Sequence, residues 1–203
     1  MRILLFLTIF PLVMASISPL VGEKTKEMTP ERILELWNLP VKNGDIPEGF
    51  NNWMISNQSN VTLEISLPNG EKFNPPPFKM PQKIIQGKFI MWLVAPPGAP
   101  FQNYGIIWYE KKSNLYRKSV YHKSFDETKE DPVEEMVHFL GMRYPGTNLY
   151  AFTQTNNTKQ KVKSFHIECH TPEKAEFKEI ITNADNQLER TIQGTAIPIK
   201  HEP

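Results

Sequence analysis

Three runs of aromatic and β-branched residues follow one another between Lys88 and Lys123. They extend from Phe89 to Val94, from Ile106 to Tyr109 and from Leu115 to Tyr121, and residues that favour turns separate them. Runs of this length and composition, joined by short turns, are typical of consecutive antiparallel strands. The stretch therefore predicts an antiparallel meander in a mainly β protein.

Strand-like runs separated by turn-forming residues continue on both sides of this stretch. Short turn-forming connections demand antiparallel neighbours, so we expect about eight main strands after Asn60 in up-and-down order. Eight such strands can close into a barrel that leaves room for one small ligand. The strands predicted outside the central meander are Val61 to Leu67, Leu149 to Thr155, Val162 to His170, Ala175 to Thr182 and Leu188 to Thr195. Trp53 to Ile55 is an additional candidate for a short strand before them.

A short helix is expected before the first strand. Thr29 is suited to the N-cap and Pro30 to the first helical position. Arg32 can pair with Glu35 or with Glu31. The apolar face would hold Ile33, Leu34 and Trp37. We expect this helix to end near Asn38 and to pack on the sheet or close one end of the barrel.

A second helix is predicted over residues 132–140. Asp131 is suited to its N-cap, Glu134 to a capping box and Gly141 to its end. Its apolar stripe would contain Val133, Met136, Val137 and Leu140, and would cover one end of the barrel as a lid. A strand over residues 136–140 is the alternative, because short apolar runs fit both periods.

The first residues predict export. A basic start, an apolar run of about a dozen residues and a small-residue cleavage pattern ending at Ala15 are typical of a signal peptide. The alternative, a transmembrane anchor, needs a run of roughly 20 residues. We therefore expect a signal peptide at 1–15, a flexible leader at 16–28, one β domain at 29–203, and a periplasmic or secreted protein with no stable membrane span.

Composition narrows the function further. Without the signal peptide, basic and acidic residues are equal in number, which argues against a nucleic-acid partner. Cys169 is the only cysteine, so no internal disulfide forms, and we expect it to be a buried small apolar residue. Asn57, Asn60 and Asn156 each begin a glycosylation sequon, which matters only in a eukaryotic secretory route.

No established catalytic or metal-binding motif is present. The sharpest polar pattern is His166-x-Glu168-x-His170, whose side chains would share one face of a strand. A metal ion could bridge two of them, but a solvent-facing row is the favoured interpretation. Glu134 and Glu135 fit a helix N-terminus, and His138 has no evident partner. We therefore predict no catalytic residue, no metal site and no cofactor.

Several segments resemble lipocalin-like exported bacterial domains of unknown function. The resemblance is carried by 104–109, 115–121, 176–181 and 188–194, and covers about the C-terminal half of the chain. It implies a barrel and implies no particular chemistry.

The predicted function is binding of a small apolar or amphipathic molecule inside the barrel. Aromatic residues are abundant, and residues of this type line apolar pockets as well as ordinary cores. An enzyme using His138, His166 or His170 with nearby carboxylates, and a protein-interaction module, are the alternatives. The residues predicted to contact the ligand are Trp92, Trp108, Tyr121, Met136 and Leu140.

Overall fold

The computed structural model describes residues 28–40, 46–94, 101–124, 133–156 and 162–199. The predicted signal peptide, most of the leader, and Asp131 and Pro132 lie outside these ranges. The described elements are one helix, α1 (Pro30–Trp37), and eleven strands. The strands are β1 (Gln58–Ser66), β2 (Lys72–Phe73), β3 (Phe78–Ile85), β4 (Phe89–Val94), β5 (Phe101–Glu110), β6 (Leu115–Ser124), β7 (Val133–Arg143), β8 (Leu149–Gln154), β9 (Lys163–His170), β10 (Ala175–Thr182) and β11 (Leu188–Pro198).

Ten of the strands form a closed antiparallel barrel. From β3 to β11 each strand pairs with the next, and β1 pairs with both β3 and β11. The closing register runs from Ser59 opposite Pro198 to Ser66 opposite Thr191. Strand β2 lies outside this circle and extends the edge of β1. The predicted mainly β barrel is thus confirmed, with two more strands in the barrel than expected.

Strand β3 was not predicted, and it contains Pro81, a residue type that central strands normally exclude. The structure accommodates Pro81 where β3 changes partner. Residues 78–81 pair with β1, whereas pairing with β4 begins at Gln82. One side of Pro81 therefore needs no ladder hydrogen bond, and the missing N–H is tolerated.

The helix predicted over residues 132–140 is wrong, because Val133–Arg143 is strand β7. It pairs with β6 from Tyr116 opposite Gly141 to Ser124 opposite Val133. Val137 and Phe139 face the barrel interior, and Leu140 is 2% exposed on the outer face. A strand buried on both faces loses simple alternation, so its apolar spacing also fitted a helix. The proposed lid does not exist in this form.

Helix α1 confirms the prediction for the N-terminal segment. The Thr29 hydroxyl accepts a hydrogen bond from the Arg32 N–H at 3.3 Å, and Arg32 pairs with Glu35 at 2.8 Å. The buried face differs slightly, because Ile33 and Leu36 are covered and Leu34 is 39% exposed. The helix packs on the outer face of β3 to β6, so it lies beside the barrel and does not close an end.

Asn156 extends the pairing of β7 beyond the end of β8. Its side-chain amide donates to the Met136 carbonyl at 2.7 Å and accepts from the His138 N–H at 2.8 Å. The amide thus takes the place of a strand backbone, which gives this sequon asparagine a structural role. Asn57 and Asn60, the other sequon asparagines, are exposed.

Within the described residues, no helix has the length and apolar character that a membrane span requires.

Candidate ligand-binding interior

The strand register separates side chains that face the barrel interior from those that face outward. On β6, Tyr116, Lys118, Val120 and His122 face inward, and their direct partners on β5 and β7 do the same. Burial of these inward residues differs along the barrel. We call the end nearest residues 47–56 the packed end, and the end near His122 the open end.

The packed end is filled by residues from the segment that precedes β1. Phe50 is fully buried and contacts Tyr116 edge to face at 5.3 Å between ring centroids. Trp53 lies 4.8 Å from Tyr150 and stacks on His170 at 3.7 Å. Close aromatic contacts of this kind leave no space for a ligand here.

Hydrogen bonds anchor this segment to the strands. The Tyr116 hydroxyl donates to the Gly49 carbonyl at 2.6 Å, and Gln82 accepts from the Ser56 N–H at 3.3 Å. Trp53–Ile55, predicted as a possible short strand, therefore belongs to a plug that closes one end of the barrel.

Three inward glycines make room for aromatic rings. Gly105 lies directly opposite Trp92, Gly141 opposite Phe152, and Gly194 opposite Phe177. A Cβ atom at any of the three would overlap the ring on the neighbouring strand. Each glycine therefore lets a large ring lie flat across the barrel wall instead of projecting into the interior.

A buried cluster of charged and polar groups occupies the middle of the interior. The Glu168 carboxylate accepts from Lys118 Nζ at 2.6 Å, from His166 Nε2 at 2.7 Å and from His170 Nε2 at 2.9 Å. All four side chains are 10% exposed or less. His166, Glu168 and His170 thus face inward, and the prediction of a solvent-facing row is wrong.

The hydrogen bonds fix the protonation of this cluster. His170 Nδ1 accepts from the Met54 N–H at 3.2 Å, so the proton of the neutral ring is on Nε2 and points at Glu168. Burial lowers the pKa of His170, which keeps this ring neutral. Burial alone would raise the pKa of Glu168, but Lys118 and the two histidines hold it well below its usual range. Glu168 is therefore an ionised carboxylate whose two oxygens are both occupied.

The open end has a different lining. Here the register turns both apolar and polar side chains inward, yet they remain only partly buried. Within the described ranges, part of this apolar wall therefore stays exposed. Four of its members, Leu63, Phe78, Met80 and Phe177, also pack against Met54 and Val61. The partly buried inward residues are Leu63, Ile65, Phe78, Met80, Trp92, Asn103, His122, Phe177, Glu179 and Ile192.

A directed chain of hydrogen bonds orients His122. The Trp92 indole N–H donates to Asn103 Oδ1 at 3.1 Å, so the Asn103 amide N–H₂ donates to His122 Nδ1 at 3.0 Å. Burial lowers the pKa of His122, so its ring is neutral and its proton is on Nε2. His122 therefore presents one N–H donor at the open end.

Glu179 supplies the opposite kind of group. One carboxylate oxygen accepts from the Ser164 hydroxyl, and the part of the chain that the structure describes offers its other oxygen no hydrogen bond. Burial would raise the pKa of Glu179, but His166 and the Ser164 hydrogen bond lower it overall. Glu179 is thus an ionised acceptor facing the interior.

The five residues predicted to contact a ligand do not lie together. Trp92 faces the interior. Trp108, Tyr121 and Met136 lie on the outer face, in the cluster under α1, and Leu140 belongs to a second outer cluster with Leu115, Ala151, Phe165 and Ile167. The sequence showed that these residues are apolar or aromatic. It did not fix the strand register, which decides whether each side chain faces the interior or the outer surface.

The other polar candidates are distributed over the outer face and the interior. His138 is an outward residue whose Nδ1 lies 2.9 Å from the Ser119 hydroxyl. Cys169 faces outward and is half-buried, so it is less covered than the buried position that was predicted. Glu135 faces inward near His122, whereas its neighbour Glu134 faces outward and pairs with Lys123 at 2.6 Å. No group of His, Cys, Asp and Glu in the described ranges has the geometry of a metal site.

No protein-family model matches this sequence, and no curated protein is significantly similar to it. The resemblance to lipocalin-like exported domains therefore stays a prediction.

Proposed function

We propose that this protein binds a small apolar or amphipathic molecule inside the open end of its barrel. The observation that carries the proposal is the incomplete burial of inward apolar side chains such as Leu63, Phe177 and Ile192. Burying apolar surface gains about 25 cal/mol per Å². A ligand with an apolar body would cover this wall, as ligands do in other barrels with an open interior.

The polar interior supports binding rather than catalysis. Short hydrogen bonds join the Glu168 carboxylate to Lys118, His166 and His170. Both oxygens of this buried carboxylate are therefore occupied by protein groups. Such a network fixes the middle of the barrel as a floor beneath the open end. The apolar wall and the few remaining polar groups above this floor are typical of a small-molecule site.

A volume-filling substitution tests this site against a matched control on the same strand. Ile192 faces inward on β11, whereas its neighbour Gln193 is exposed and faces outward. The uncharged dye Nile red serves as the probe, followed by its fluorescence. We expect Ile192→Trp to weaken dye binding by about tenfold or more, equivalent to about 1.4 kcal/mol, and Gln193→Trp to leave it unchanged.

Circular dichroism and thermal unfolding check that both variants fold. If the unmodified protein binds neither Nile red nor any member of a panel of neutral lipids, the proposed function is wrong. Loss of dye binding in Gln193→Trp alone would place the site on the outer surface.

We propose further that the barrel acts after export from the cytoplasm. The support is the basic start, apolar run and cleavage pattern at 1–15. Mass spectrometry of the protein recovered from its native host tests this: the expected N-terminus is Ser16, and an intact N-terminal Met1 would contradict export by cleavage.

A further inference from the structure

His122 and Glu179 face one another at the open end without touching. Contacts on either side of Lys118 place the two side chains in the same part of the interior. Lys118 Nζ lies 5.5 Å from the Trp92 ring, which is linked through Asn103 to His122. The same Nζ lies 3.5 Å from His166 Nε2, and His166 is directly opposite Glu179 on the neighbouring strand. No hydrogen bond or ion pair joins His122 to Glu179 in the described ranges. A donor and an acceptor therefore border the same space with neither satisfied by the other.

The other charged groups near His122 do not change this polarity. Glu135 acts with the same sign as Glu179, while Lys118 and Arg190 act with the opposite sign and more weakly. Lys118 is moreover held at 2.6 Å by Glu168. Carboxylates therefore dominate the electrostatic effect of neighbouring charges on His122.

We propose that His122 and Glu179 form the head-group subsite of the ligand-binding interior, and that it takes a neutral hydroxyl. This inference rests on the proposed function and specifies the ligand class. A hydroxyl oxygen accepts from His122 Nε2–H, and the hydroxyl proton is donated to the open oxygen of Glu179. The apolar body then lies along Trp92, Phe177 and Ile192.

Two other head groups fit less well. A carboxylate would satisfy His122 but place a second negative charge beside Glu179 at low local dielectric. An ammonium group would satisfy Glu179 but has no acceptor for His122 Nε2–H. The same subsite therefore discriminates between amphipathic molecules that share one alkyl chain and differ only in the head.

The test compares dodecanol, dodecanoate and dodecylammonium as competitors of bound Nile red. Dodecanol is kept below its solubility limit, and the two ions are kept below their critical micelle concentrations. We expect the unmodified protein to bind dodecanol about tenfold or more tightly than dodecanoate, with dodecylammonium between them. Glu179→Gln should abolish most of the difference between dodecanol and dodecanoate by strengthening dodecanoate binding. The control is Glu176→Gln, which removes an exposed, outward carboxylate from the same strand and should change nothing.

The outcomes separate the two proposals. If Nile red binds but dodecanoate or dodecylammonium competes as well as dodecanol, the barrel binds ligands and the head-group inference is overturned. Binding of neither the dye nor any of the three overturns both proposals. If Glu179→Gln does not fold, the comparison in the unmodified protein still decides, because it needs no substitution.

Discussion

The two ends of the barrel interior are built from the same strands but differ in how the space is filled. At the packed end, Phe50 and Trp53 enter from outside the barrel and meet Tyr116 and Tyr150, leaving these residues 8% exposed or less. At the open end the inward residues Phe177 and Ile192 remain half-buried. The comparison teaches that the strands alone do not fill the interior, because tight packing occurs where the segment before β1 enters it. The less densely packed half is where we propose that a ligand binds.

The largest difference between the ends should appear on removing an aromatic ring. Phe152 is fully buried in the same cluster as Phe50 and Trp53 at the packed end, so Phe152→Ala should lower the free energy of unfolding by about 3–5 kcal/mol. Phe177→Ala at the open end should cost less than half as much, because its ring has fewer contacts to lose, but should weaken Nile red binding several-fold. Urea unfolding and dye titration measure the two effects, and equal losses of stability would remove the distinction between the ends.

The charged floor between the ends should come next. Lys118→Met leaves the Glu168 carboxylate buried without its cation, and breaking such a pair costs about 3–5 kcal/mol. The control is Lys174→Met, which breaks a largely exposed pair with Glu176 and should cost no more than about 1 kcal/mol.

Chemical unfolding of both variants tests this difference. Adding Glu168→Gln to Lys118→Met should recover part of the lost stability, since the unpaired charge is then gone. A Lys118 variant as stable as the Lys174 variant would show that the floor is not a coupled network.

Acid should act on both ends with a smaller, graded effect. The pKa of His122 and that of His170 are lowered from 6.5, so below pH 6.5 the unfolded chain binds more protons and stability falls. The pKa of Glu168 and that of Glu179 are lowered from 4.5, so their contribution is present above pH 4.5 and is lost as pH falls through their folded values.

The expected profile of unfolding free energy is thus a decline beginning near pH 6.5 that steepens below pH 4.5. Urea unfolding at a series of pH values measures it. His122→Phe should reduce the first decline only, and a constant stability between pH 7 and pH 5 would contradict the buried, neutral state of both rings.

The sequence predicted the barrel because its strands are short, aromatic-rich and joined by tight turns, and these are local properties. It also predicted α1, since Thr29 and Pro30 are local signals. It failed at β7, where both faces are buried and the capping residues suggested a helix. Because β7 was taken for a helix, the outward positions of Met136 and Leu140 could not be derived from strand alternation. His166 and His170 were placed on the solvent face for a different reason, namely that they are polar.

The proposed head-group subsite was beyond prediction for a related reason. His122 on β6 and Glu179 on β10 are far apart in sequence, and only closure of the barrel turns both side chains toward one interior. No sequence signal marks Asn103, although its side chain connects Trp92 to His122. Among the five predicted ligand contacts, Trp92 is the one with a sequence signal for its face. Gly105 on the next strand leaves room for a ring that lies across the inner wall.

The most direct test of the central claim is where a bound ligand lies relative to Trp92 and Trp108. These indoles occupy opposite faces of the barrel wall, and Trp92→Phe and Trp108→Phe assign their signals. Nuclear Overhauser effects are measured between unlabelled dodecanol and the isotope-labelled protein. The account predicts contacts from the alkyl protons to the Trp92 indole and the Phe177 ring and none to Trp108. Contacts to Trp108 and Tyr121 without contacts to Trp92 would place the ligand outside the barrel and contradict the account.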